Sequence, residues 1–158
     1  MIKDHLIKNT LLVLKEELEN AIAAAQQAHD GATHEQSKAE TQYDTLGLEH
    51  AYLAQGQSRR IDELIHSISL LENWKVIDFA YDDEIYLGAM VTLKGVLNNQ
   101  CLTVLLAPSG GGVVVKLEEK EYQMITPQTP LGQSLIGLTI DETLSLNNGL
   151  LYQIVDVC

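Results

Sequence analysis

Residues 61–80, IDELIHSISLLENWKVIDFA, change period in mid-course, and that change decides the fold. Up to Leu71 the apolar residues Ile61, Leu64, Ile68 and Leu71 follow steps of three and four. That is the seam of a helix packed lengthwise on another helix. Beyond Trp74 the helical step is gone, and VIDFA (76–80) is rich in residues that favour strands. The chain therefore reads as an α+β protein, with a helical domain over 1–74 and a β domain over 75–158. The join at residues 72–76 is too short to be a free tether.

Upstream, Ile7, Leu11, Leu14, Leu18, Ala21, Ala25 and Ala28 form a second heptad seam. The seam of the later helix starts at Ala39, Tyr43, Leu46, His50 and Leu53, and a step of eight around Gly56 predicts a local change in winding. Two seams separated only by Asp30–Thr33 predict an antiparallel helical hairpin, a coiled coil in which Gly31 supplies the turn. Its seam shrinks from Leu to Ala toward the bend, so the helices approach most closely near the tip.

Downstream, IYLGAMVTL (85–93), QCLTVLLA (100–107), VVVKL (113–117) and EYQMI (121–125) read as strands, with a turn at Asn98-Asn99 and a loop at SGGG (109–112). TPLGQSLIG (129–137) reads as a short helix: Thr129 caps it, Pro130 suits its first position and Gly137 ends it. LTIDETLSL, an Asn147-Asn148-Gly149 turn and LLYQIVDV close the chain as a hairpin. This half is expected to be a small antiparallel β domain with one short helix.

Composition excludes several functions. The net charge of −12 is spread over both halves, so phosphate backbones and anionic membrane surfaces are repelled. Lys3, Asp4 and Lys8 interrupt the only apolar stretch near the start, and no run of about 18 apolar residues occurs. Cys101 and Cys158 make no disulfide framework, so a reduced cytoplasmic setting is expected.

Few residues carry chemistry. Gly110–Gly112 lacks the Lys-Ser/Thr pair of a phosphate loop, and the five histidines show no metal-ligand spacing. His50 reads as a polar interruption of its seam. The acidic residues Asp30, Glu35, Glu40 and Asp44 cluster around the bend, with Lys38 the only cation among them. Carboxylates are hard oxygen ligands for Mg²⁺, commonly in company with phosphates, and a solvated hairpin end accounts for the same residues.

ITPQTPLGQSLIG (125–137), YQIVDV (152–157), WKVID (74–78) and LGAMVTL (87–93) resemble stretches of the GreA/GreB family of bacterial transcript-cleavage factors. LAQGQSRRIDELIHSISLLEN (53–73) is similar to the second coiled-coil helix of that family. The resemblance spans essentially the whole chain. It implies an FKBP-like C-terminal domain that docks on RNA polymerase, through Gln128, Thr129 and Pro130, and a coiled coil that enters the secondary channel. Acidic tip residues would then help to hold the polymerase's second Mg²⁺ while the polymerase hydrolyses backtracked RNA. Asp30 and Glu35 are the first candidates, then Glu40 and Asp44. On this reading the protein is no enzyme and binds no metal stably by itself.

The tip departs from the family's compact Gly-Asp-Leu-x-Glu-Asn-Ala-Glu-Tyr motif: Asp30 and Glu35 stand five residues apart where the family has three. Stimulation of cleavage and mere occupation of the channel therefore both stay open. So does a coiled-coil scaffold unrelated to polymerase, which exposed apolar residues along the outer helix faces would favour.

Overall fold

The computed structural model describes residues 1–38 and 45–158, and the side chains of 1–30 and 56–158. The fold is α+β. Helix α1 (Ile2–Lys38) and helix α2 (Thr45–Glu72) precede strands β1 (Met90–Gly95), β2 (Cys101–Leu106), β3 (Val114–Leu117) and β4 (Lys120–Ile125). A short helix α3 (Pro130–Leu135) and strands β5 (Thr143–Ser145) and β6 (Leu151–Val157) complete the chain. It divides into two compact units: Leu14–Ile68, and Met1–Val13 together with Ser69–Cys158. The ends of both helices thus belong with the strands, whereas the sequence suggested a division at 74/75.

In the helical unit, burial follows the heptad. Leu14, Ala21 and Ala28 are buried and Leu18 and Ala25 half-buried; on α2, Leu64 and Ile68 are buried and Ile61 half-buried. Arg60 Nη2 reaches Glu17 Oε2 at 2.7 Å, a contact between helix positions far from the connection, as an antiparallel pair makes. Both side chains are well exposed, so the ion pair contributes little stability beside the apolar seam.

The expected bend at Asp30–Thr33 is not there. Helix α1 continues through Gly31 to Lys38, and the connection falls on residues 39–44, outside the described ones. A glycine inside a helix costs only about 1 kcal/mol relative to alanine. The Ala, Glu, Gln and Lys around Gly31 are good helix formers, and no proline follows to stop the helix. Helix α2 likewise runs unbroken through Gly56.

In the strand-bearing unit the sheet order is β3-β4-β2-β1-β6-β5. The sheet is mixed rather than antiparallel, because β2 and β4 pair in parallel, Thr103 opposite Tyr122 through Leu106 opposite Ile125. The β3–β4 hairpin explains this. Strand β3 lies at the outer edge, so its antiparallel partner β4 is the one that returns beside β2. Alternation along β1 and β6 sends Val91, Leu93, Tyr152 and Ile154 into a core that also holds Val104, Leu106, Ile125 and Leu135. Fully burying one such aliphatic side chain stabilises by about 1.5–3 kcal/mol.

VIDFA is not a strand, and β1 begins only at Met90. Strand propensity needs a neighbouring strand to become a ladder. Here the 76–80 backbone meets α1 instead: Lys3 Nζ donates to the Ile77 carbonyl at 2.9 Å and stands 5.1 Å from the Phe79 ring centre. Lys3 is buried, and burial pushes its ammonium below the ordinary lysine pKa, while the charges of Cys158 and Asp78 act the other way. Ile85 is also off the sheet; its N–H donates to Leu138 and its carbonyl accepts from Gly137, both at 2.8 Å.

Candidate functional site

Of the four acidic candidates, Asp30 alone has a described side chain. It is exposed on α1, and its Oδ1 accepts from Gln26 Nε2 at 3.1 Å, an ordinary contact one helical turn away. Glu35 lies on the same helix with its side chain outside the described residues, and Glu40 and Asp44 lie outside them altogether. At 3.6 residues per turn, positions 30 and 35 stand about 140° apart around the helix axis. Among the described residues no three His, Cys, Asp or Glu side chains are grouped as metal ligands.

The second candidate, Gln128-Thr129-Pro130, is built in detail. Strand β4 ends at Ile125, and Thr126, next in the chain, supplies the carbonyl around which the turn closes. Thr129 N–H donates to that carbonyl at 3.1 Å and Thr129 Oγ1 donates to it at 2.7 Å. The same hydroxyl accepts from Gly132 N–H at 3.1 Å, which makes Thr129, at φ −70° and ψ 151°, the N-cap of α3. Pro130 takes the first helical position, where a missing N–H has no cost.

Gly132 is buried against this turn. A Cβ there would come within 2.1 Å of the Thr126 carbonyl oxygen, so no other residue fits without moving backbone. The result is a locked turn in which Gln128 and Pro130 are exposed and the Thr129 hydroxyl is engaged within the fold. Two of the three expected docking residues are therefore presented outward. The third holds them in place.

Beside the turn lies an open cleft of about 600 Å³. Thr129, Pro130, Leu131 and Ser134 form one wall; Ser145, Leu146, Asn147 and Asn148 form another, and Gln123, Ile125 and Gly111-Gly112 contribute the rest. Among the described residues its lining holds hydroxyl, carboxamide and aliphatic side chains and no charged one. Neither Thr126 nor the Asn147-Asn148 wall was singled out from sequence as part of a site. The signal for Thr126 was a threonine three residues ahead of the capping threonine, at the end of a strand. The wall had none, because a turn of Asn and Gly explains itself.

No protein-family model matches the chain, and no curated protein matches it. Among solved structures it is similar to GreA factor homolog 1 (Gfh1) of Thermus thermophilus, at 19% identity and TM-score 0.41 over 94% of each chain. A further structure, of the transcription factor Gfh1, gives 19% identity and TM-score 0.39 over 93% of this chain and 92% of that one. Thermus aquaticus Gfh1 gives 22% and 0.37 over 95% and 94%.

Proposed function

We propose that this chain is a regulator of RNA polymerase elongation of the GreA/GreB kind, an accessory factor and no enzyme. Its strand-bearing unit docks on the polymerase through Gln128 and Pro130, and its helical pair, a coiled coil, reaches toward the catalytic centre through the secondary channel. The observation that carries this reading is the ITPQTPLGQSLIG stretch, the most specific part of the family resemblance. It forms a turn locked by Thr126, Thr129 and Gly132 that holds Gln128 and Pro130 outward. The net charge of −12 fits a factor that meets a protein and a cation rather than a nucleic-acid backbone.

Within this reading, occupation of the channel without stimulated cleavage is supported by one specific feature. Positions 30 and 35 lie on one helix about 140° apart around its axis, a spacing unlike the three-residue Asp–Glu spacing of the family motif. The scaffold reading has less support. Among the described residues the exposed apolar side chains of the two helices are scattered: Val13 and Ile22 lie on opposite sides of α1, and Ile65 and Leu70 stand about 140° apart on α2.

The test is to add the protein to backtracked elongation complexes with Mg²⁺ and follow both binding and RNA length. Binding with shortened RNA supports a metal-lending role; binding with unchanged RNA supports channel occupation. Absence of binding would overturn the polymerase reading. Cleavage that survives Asp30→Ala with Glu35→Ala removes those residues from the metal site.

A further inference from the structure

The cleft beside α3 sits in a part of the chain from which charged residues and histidine are missing. Residues 122–140 contain no Asp, Glu, Lys, Arg or His, and neither do residues 143–155. These runs are not simply core, since Gln128, Pro130, Ser134, Ser145, Asn147 and Asn148 are exposed. A surface built from such residues can be desolvated without stripping water from a charge, which is the character of the centre of a protein interface.

The polar groups that do line the cleft are carboxamides. Gln123 is half-buried and Asn147 exposed, and neither side chain has a hydrogen-bond partner among the described residues. Asn148 uses its Oδ1 to accept from Leu150 N–H at 2.9 Å, which fixes the turn that carries it. Leu131 and Leu146 contribute apolar surface to the same lining. The same turn continues into Leu150 and Leu151, which border a shallow depression with Leu97, itself 86% exposed.

We propose that this cleft binds an uncharged, extended peptide segment of a protein partner. The backbone groups of that segment meet the carboxamides of Gln123 and Asn147, and one of its apolar side chains enters beside Leu131 and Leu146. The charge pattern selects this occupant. A cationic segment would lose hydration in a lining that has no carboxylate to replace it, and an anionic one would find no cation while facing a chain of net charge −12. A neutral segment gives up only amide hydration, which carboxamides restore. The inference names the chemistry of the bound segment, not the protein that supplies it; the cleft shares Pro130 with the proposed polymerase contact, and the peptide test below reads the cleft separately from polymerase binding.

The test uses the isotope-labelled full chain and three sets of short peptides capped at both ends: neutral apolar, Lys/Arg-rich and Asp/Glu-rich. The side-chain amide signals of Gln123, Asn147 and Asn148 are followed by NMR. Only the neutral set is expected to move them, with an affinity that changes less than about twofold between about 50 and 500 mM salt. Asn148→Asp keeps the turn's acceptor and adds a charge, so it is expected to weaken that binding about tenfold while the core signals stay in place. Ser134→Glu, on the facing wall, is expected to do the same. The proposal is overturned if a charged set binds as well or better, if no peptide moves these signals, or if both charge-adding variants bind like the parent.

Discussion

Gln128-Thr129-Pro130 and Asp30 were both site candidates on the sequence, and the structure holds the two places differently. In the turn, one carbonyl receives two hydrogen bonds, a hydroxyl caps a helix, and a glycine fills the only space left. Each group is fixed by more than one partner. Among the described residues, the Asp30 carboxylate meets one exposed neighbour on its own helix. A turn fixed by hydrogen bonds within its own fold is preorganised, whereas an exposed carboxylate on a helix face is held mainly by its own backbone.

The sharpest way to break this contrast is Gly132→Ala. Its Cβ would meet the Thr126 carbonyl oxygen, and we expect a loss of about 2–3 kcal/mol in denaturant unfolding of the full chain. A loss below about 0.5 kcal/mol would show that the turn is soft after all.

Thr129→Ala comes next. It removes the cap and the second bond to Thr126, at an expected cost of about 1 kcal/mol, which Thr129→Ser should largely restore. If alanine and serine behave alike, the hydroxyl is not what locks the turn.

Asp30→Ala defines the other side of the comparison, with an expected stability change within about 0.5 kcal/mol. A large destabilisation would mean that this carboxylate is structurally engaged beyond its contact with Gln26.

The smallest effect concerns pH. Lys3 has its folded pKa pushed below the ordinary lysine value, chiefly by burial. Between the two values the unfolded chain binds more protons, so this group makes stability rise with pH. Cys158 has its thiol pushed above the ordinary value, by burial first and by Asp156 second. Its contribution is complete below the ordinary thiol pKa and lost as pH climbs through the folded one. Lys3→Met removes the rising contribution. Between about pH 9 and 11 the variant should therefore lose stability more steeply than the parent, as measured by thermal melts across that range.

Much of the fold was legible because its signals are local and periodic. The heptad residues Ile7, Leu14, Ala21 and Ala28 are all buried, and Thr129, Pro130 and Gly137 flank a helix as their chemistry requires, with Gly137 at φ +82°. Asn99 at φ +53° and Gly149 at φ +77° mark the two turns read from Asn and Gly. The readings that changed depended on partners far along the chain. VIDFA has strand propensity but no strand beside it, and β4 runs parallel to β2 because β3 occupies the edge. Gly31, read as a turn, sits in a helix that its neighbours propagate.

By itself, then, the sequence determined the α+β class, the α1 seam and the α2 seam from Ile61 to Leu71, the capped turn and the absence of charged residues along 122–140 and 143–155, while Ala39, Tyr43, Leu46, His50 and Leu53 lie outside the described side chains. These follow from side-chain spacing, backbone preference and composition, all of which act over a few residues. Tertiary structure alone decided that the helix ends belong with the strands and that Lys3 is buried against Ile77 and Phe79. It also decided that two neutral segments, separated by Asp141 and Glu142, face each other across one cleft. Those outcomes come from long-range packing, in which the gain from removing apolar surface from water outweighs the local preferences of the residues it brings together.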